Sequence, residues 1–257
     1  MEKQIIRSLH DLLDAVNVAQ QSVGEARHWW RGQGKGDWKL RPGICQDRAL
    51  DEERDVRKTV ELEKFTYRAF RTLAPARYAG CPNPQDFSAW LFLMQHHRLR
   101  TRLMDWTESP LIALHFAVRE RIEGDAALWV LNPGGLNSAE FAMPHLFLEA
   151  APQIKPMFDY AFAENVKDLD KIAAVIPTHS NPRMMNQLSR FTIHGSGSSW
   201  KALESIPNAH KFLQRFEIPH SAKSSLGNDL RQAGISESIL FPDLDHLANE
   251  INAVKLP

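Results

Sequence analysis

The residues best suited to chemistry fall in three places along the chain. The densest is Gln95-His96-His97-Arg98-Leu99-Arg100-Thr101-Arg102-Leu103-Met104-Asp105-Trp106-Thr107-Glu108-Ser109-Pro110, which runs straight into the apolar Leu111-Ile112-Ala113-Leu114-His115-Phe116-Ala117. The second is Trp30-Arg31-Gly32-Gln33 and the third opens at Glu237. A guanidinium such as that of Arg31 makes paired hydrogen bonds to phosphate oxygens. A carboxylate such as Glu237 can stabilise positive charge that develops in a transition state. The hydroxyls of Thr107 and Ser109 can order such a site, and the Trp106 indole can stack on a planar base. Each residue also has a plainer role. Arg102 and Asp105 suit a buried ion pair that fixes their loop, Ser109 suits a helix cap, Trp106 suits a core, and Glu237 suits a solvated strand edge. The adjacent His96 and His97 point apart on a helix, so no metal site is expected.

These residues must be positioned by regular elements, and the pattern supplies them. Ser8 with Asp11 forms a capping-box signature, and Leu9, Leu12, Leu13, Val16 and Ala19 recur at helical spacing, which predicts a helix over 8–21. Arg27 to Gly32 reads as a short strand, followed by a mobile loop at Gly32, Gly34 and Gly36. A long amphipathic helix is predicted over 51–74 from Val56, Val60, Tyr67, Phe70 and Ala74. Pro82 and Pro84 interrupt the chain, and a second helix carries Phe87, Trp90, Leu91 and Met94 inward. Ser109 caps a helix with Pro110 at its first position. Residues 125–131 form a buried strand that Asn132-Pro133-Gly134-Gly135 closes. The stretch 136–180 reads only as short helices or loops. Strands are predicted at 190–194, 212–218 and 237–241, a helix at 221–232 ended by Gly234, and a final helix capped by Asp243 that carries Leu244, Leu247 and Ile251. No repeat or linker stands out, so residues 1–257 are expected to form a single α+β domain with mixed or antiparallel sheets flanked by helices.

Composition narrows the function classes. The 257 residues are 43% hydrophobic and 24% charged, ordinary values for a globular core. The 31 basic and 31 acidic residues cancel, so no global field draws the chain to nucleic acid or an acidic membrane. Cys45 and Cys81 have neither metal-ligand spacing nor a disulfide framework. The start, Met1-Glu2-Lys3-Gln4, lacks a signal-peptide core, and no apolar run approaches the ~18 residues of a membrane span. A soluble, cytoplasmic protein without a membrane partner is expected.

The ordered motifs resemble the FRG domain family, named for a (Phe/Tyr)-Arg-Gly motif. Trp30-Arg31-Gly32-Gln33 stands in that place, and Trp38, Leu40 and Pro42 echo the Trp-x-Leu-x-Pro that follows. The stretch from Gln95 to Ala117 is similar to the family's Gln-His-x-Gly-x-Pro-Thr-Arg-Leu-Leu-Asp-Trp-Thr-x-Ser-Pro signature. Asn181-Pro182-Arg183 through Gln187 with Phe191 resembles its Arg…Gln-x-Gly-x-Phe element, and Phe241-Pro242-Asp243-Leu244 its Phe-Pro-Asp-Leu ending. The resemblance spans about residues 28–250. Departures are Trp30 for Phe or Tyr, Arg98 and Arg100 for the usual Gly and Pro, and Ser189 for Gly.

The order Arg31, Thr107 or Ser109, Glu237 further resembles the Arg–Ser–Glu pattern of ADP-ribosyltransferases. That resemblance implies a possible ADP-ribosyltransferase-like fold and enzyme with NAD as cofactor. Arg31, Ser109 and Glu237 would then be catalytic, while Arg31, Gly32, Gln33, Arg102, Asp105, Trp106, Thr107 and Gln187 would hold a nucleotide-like small molecule. His194 is expected to flank the same cleft, and a macromolecule could accept the transferred group. Two alternatives stand beside it. One is a nucleic-acid module or nuclease using Arg98, Arg100 and Arg102 beside Trp106, which the neutral net charge does not favour. The other is a non-catalytic sensor of a nucleotide.

Overall fold

The computed structural model describes residues 4–24, 27–45, 53–120, 122–163, 166–178, 182–196 and 200–252. Helix α1 (Leu9–Val23) starts at Ser8, whose Oγ accepts from Asp11 N while Asp11 accepts from Ser8 N, the reciprocal pair its spacing predicts. Strand β1 (Trp29–Gln33) follows, then α2 (Glu53–Leu73), α3 (Phe87–His96), β2 (Leu103–Thr107) and α4 (Pro110–Val118). Next come β3 (Ala126–Leu131), α5 (Pro133–Phe141), β4 (Phe147–Leu148), α6 (Lys155–Asp159), β5 (Ile172–Ile176), α7 (Pro182–Asn186) and β6 (Ser189–His194). The last elements are β7 (Leu213–Ile218), α8 (Lys223–Gln232), α9 (Glu237–Leu240) and α10 (Leu244–Asn252). The fold is thus α+β, as expected.

All seven strands join one sheet in the order β4-β5-β6-β2-β1-β3-β7. Neighbours are antiparallel except β4 and β5, so the sheet is mixed. On one face α1, α4 and α8 cover β1, β3 and β7 through Trp30, Leu114, Val130, Phe216 and Leu226. On the same face α2, α3 and α6 cover the other half through Tyr67, Leu91, Leu103, Phe158 and Ile193. The opposite face carries a core of Trp29, Met104, Trp106, Trp129 and Ala174 that spans both halves. The helical layer is therefore divided where β2 meets β1. No helix among the described residues is long and apolar enough to cross a membrane.

Gly32 explains how tightly α4 sits on β1. A Cβ there would lie 2.0 Å from Ala113 O and 2.5 Å from Ala117 N. The residue is small because the helix backbone rests on it.

Four expectations are corrected. Residues 237–240 form a helical turn rather than a strand: Ser236 O and Glu237 O accept from Leu240 N and Phe241 N, so the backbone is satisfied locally. Asn132-Pro133 does not end in a turn but opens α5, the Asn132 side chain accepting from Gly135 N with Pro133 at the first helical position. The 136–180 region contains β5, whose Ile172 and Ala174 face one core while Ala173 and Val175 face the other. A strand buried on both sides is uniformly apolar and shows no alternation. The Gly32–Gly36 loop is also tied down: Gly36 N donates to Asp125 O, and Lys223 Nζ donates to Gly34 O.

Candidate functional site

The site forms where the sheet comes apart. Strand β1 pairs with β3 along its whole length, Trp29 to Gln33, but meets β2 only at Trp30 opposite Thr107. Beyond that point the two strands diverge. Arg31 bridges the gap, its Nη1 donating to the backbone carbonyl of Asp105 at 2.7 Å. Its Nε is buried with no hydrogen-bond partner among the described residues. Burial pulls the guanidinium below its usual range, and the Asp105 carboxylate partly offsets this.

A cavity of about 630 Å³ occupies the opening, within the range of small-molecule sites. It reaches both faces of the split: Arg31, Gln33 and Trp38 line one side, and Asp105, Phe116 and Phe241 line the other. Its walls are strongly cationic. Arg31, Lys39, Arg41, Arg98, Arg119 and Arg183 line it, against the carboxylates of Asp105 and Glu120. Arg41 Nε, like Arg31 Nε, is buried without a hydrogen-bond partner among the described residues. Crowding cations with unfilled donors costs free energy unless an anion arrives to take them up.

Three of those arginines gather around one ring. The guanidinium carbons of Arg183, Arg98 and Arg119 lie 4.7, 5.6 and 5.7 Å from the Phe241 ring centroid. Phe241 is fixed in turn by stacking on His246, with centroids 4.5 Å apart. Gln187 Nε2 donates to Leu240 O at 3.0 Å and Asn186 Nδ2 to Ile239 O at 2.8 Å, which ties α9 to the β6 side of the cleft. Burial lowers the pKa of Arg183, and Arg98 and Arg119 lower it further while Asp105 and Asp243 oppose.

Arg98 reaches this place through an unusual backbone. It has φ of 61°, in the left-handed region. Its N–H donates to Gln95 O and that of Leu99 to Met94 O, the double closure that ends a helix one residue past its cap. Glycine normally fills that position, and a side chain there costs about 1 kcal/mol. The resembling pattern has Gly here, the residue that takes this conformation without strain, and this chain carries an arginine on it.

The central motif divides by role. Arg102 is fully buried and not in the cleft: its Nε and Nη2 grip Glu63 at 2.9 and 2.6 Å, and its Nη1 reaches Asp168 at 3.1 Å and Met157 O at 3.0 Å. Burial alone would lower its pKa, but Glu63 and Asp168 raise it above the ordinary value. The expected Arg102–Asp105 pair is thus replaced by a Glu63–Arg102–Asp168 network, because β2 turns successive side chains to opposite faces and α2 supplies the nearer carboxylate. Asp105 lines the cavity and accepts from Gln95 Nε2 at 2.6 Å. Trp106 is core: its Nε1 donates to Thr192 Oγ1, which also lies 3.0 Å from His194 Nε2. Burial, then Arg31 and Arg102, hold His194 down at about 3. Thr107 lines the cavity and accepts from Ser109 N at 3.1 Å. Ser109 caps α4 by accepting from Ile112 N.

Arg31, Gly32, Gln33, Asp105, Trp106, Thr107 and Gln187 therefore share the cavity, while Ser109, Arg102, His194 and Glu237 are not among its lining residues. Glu237 faces His115 Nε2 at 3.4 Å, Arg119 Nη1 at 3.7 Å and His246 Nε2 at 3.7 Å. It braces Arg119 from outside the cavity. Its pKa is lowered, chiefly by the neighbouring His115 and then by Arg119. Sequence reasoning passed over Arg119 and Arg183 as ligand-facing cations. The alternation of charge and aromatics near Phe116 and Phe241 was the available signal.

Fold and site define an α+β protein with a cationic cleft cut through a divided sheet. The FRG domain family model matches residues 26–126, and the chain carries an FRG domain. The matched segment supplies Arg31, Gly32, Arg98, Asp105 and Thr107 to the cleft, and later elements add Arg183, Gln187 and Phe241. No curated protein and no solved structure matches the chain.

Proposed function

We propose that this cleft binds a phosphate-bearing nucleotide, NAD being the ligand that the Arg–Ser–Glu resemblance implies. The observation that carries the reading is Arg31: a guanidinium set in the gap between two diverging strands, at a cavity with six cationic and two acidic lining side chains. Phosphate oxygens would take the free Arg31 donors, and Trp38 and Phe116 offer flat surfaces for a base or nicotinamide ring. ADP-ribosyl transfer is the reaction such a ligand would support. Its positive ribose would be met by Asp105, the lining carboxylate whose backbone Arg31 already holds, with Glu237 positioning Arg119 rather than touching the sugar.

Calorimetric titration of NAD+ into the wild type and R31A tests the reading. Binding by the wild type and at least a tenfold loss in R31A is expected, about 1.4 kcal/mol or more. Equal affinity in the two proteins, or an NAD-independent activity abolished by a metal chelator, contradicts it.

A further inference from the structure

We infer that the mouth of the cleft is a phosphomonoester site, in which Arg98, Arg119 and Arg183 close around a terminal phosphate of the ligand. The inference rests on the reading of the cleft as a nucleotide site and names the class of nucleotide it takes. Three guanidiniums share one aromatic ring, 4.7–5.7 Å from its centroid, at a cavity wall separate from Arg31. Of the three, Arg119 makes the ion pairs, with Glu120 at 3.2 Å and Glu237 at 3.7 Å, while Asp105 and Asp243 act on Arg183 and Asp243 on Arg98 from farther off. Arg98 and Arg183 make no ion pair with any of the described residues; Arg183 Nη1 donates to His96 O at 2.9 Å.

The two cationic centres differ in the phosphate they suit. Arg31 offers one buried fork in a narrow gap, which fits a singly charged diester or bridging phosphate. Three guanidiniums gathered around Phe241 carry more donors than a diester can accept. A monoester, with close to two negative charges and three acceptor oxygens, fills them. Arg98 also stands in the left-handed position that ends α3, where a glycine would be unstrained. Placing a cation on a strained backbone position beside two more cations adds repulsion that a bound dianion removes.

Such a phosphate could belong to a ribose of a dinucleotide or to the end of a polyphosphate chain, and the titration separates the two. Wild type, R98G and R183A are titrated with NADP+ and NAD+, and with ADP and ADP-ribose, whose diphosphate has no monoester end. R98G keeps the left-handed turn with a residue that favours it, so it tests charge without breaking the helix end. In the wild type at least one phosphorylated member should bind tenfold or more tightly than its partner lacking the monoester. That ratio should fall below about threefold in R98G and in R183A, since one charge-assisted contact is worth about that much. Preference for NADP+ would identify a ribose phosphate, and preference for ADP a chain-terminal one. Binding of NAD+ without any preference for NADP+ or ADP overturns this inference and leaves the nucleotide reading standing. A preference that survives in both variants also overturns it. Failure of all four ligands to bind overturns both.

Discussion

Arg31 Nη1 donates to the backbone carbonyl of Asp105 at 2.7 Å, across the point where β1 and β2 stop pairing. A side chain thus takes a carbonyl that a continuous ladder would have given to backbone N–H. The sheet can open there without leaving that carbonyl unsatisfied. The same guanidinium then faces the cavity with its Nε still free. Structural and ligand-facing roles meet in one residue, and the Arg-Gly pair makes both possible: Arg31 spans the gap while Gly32 lets α4 press on the strand from behind.

Arg102 should carry stability and not recognition. Its fork is bound to Glu63 and Asp168 with every partner buried or nearly so. R102A leaves Glu63 uncompensated and should cost about 3–5 kcal/mol, lowering the melting temperature by roughly 10 °C. Scanning calorimetry of R102A, with R102K as a partial rescue, checks this. A melting temperature within 2 °C of wild type would contradict the network.

G32A should be among the most damaging small substitutions in the chain. The added Cβ would meet Ala113 O at 2.0 Å, and both contacts are backbone, so neither can rotate away. A loss of about 2–3 kcal/mol is expected from forced separation of α4 and β1. Chemical denaturation midpoints of G32A measure it. G34A, which would meet only the end of Ile122 at 3.0 Å, should lose less.

His194 should make the fold sensitive to mild acid. Its folded value lies near 3 against an ordinary 6.5, chiefly because of burial. The unfolded chain therefore takes up a proton below pH 6.5 that the folded protein refuses until about pH 3. Stability is lost as pH falls through that window, by up to about 1.4 kcal/mol per pH unit. The melting temperature of H194Q should fall less than that of wild type between pH 7 and pH 5. Parallel curves would show that His194 does not set the acid limit.

Much of this was legible before the structure. Ser8, Ser109 and Asp243 marked helix starts because capping is a local exchange of hydrogen bonds, readable from a few neighbouring residues. Arg31, Asp105, Thr107 and Gln187, grouped from their motifs, line one cavity. What sequence could not show was pairing over distance. Arg102 finds Glu63 and Asp168, 39 and 66 positions away, so its partners are set by packing rather than spacing. The run at 237–241 reads as a short strand, yet Leu240 and Phe241 turn inward against Ile112 at the end of a single helical turn. Arg119 and Arg183 became cleft residues only when the end of α9 brought Phe241 near both.

The most direct test of the account is a crystal structure of the protein with NAD+ or NADP+. The nucleotide should lie in the gap between β1 and β2, with one phosphate within hydrogen-bond distance of Arg31 and the base or nicotinamide against Trp38 or Phe116. A nucleotide seated elsewhere would contradict it, for example in the 400 Å³ basic groove of Lys64, Arg68 and Arg71, with the β1–β2 cleft unoccupied.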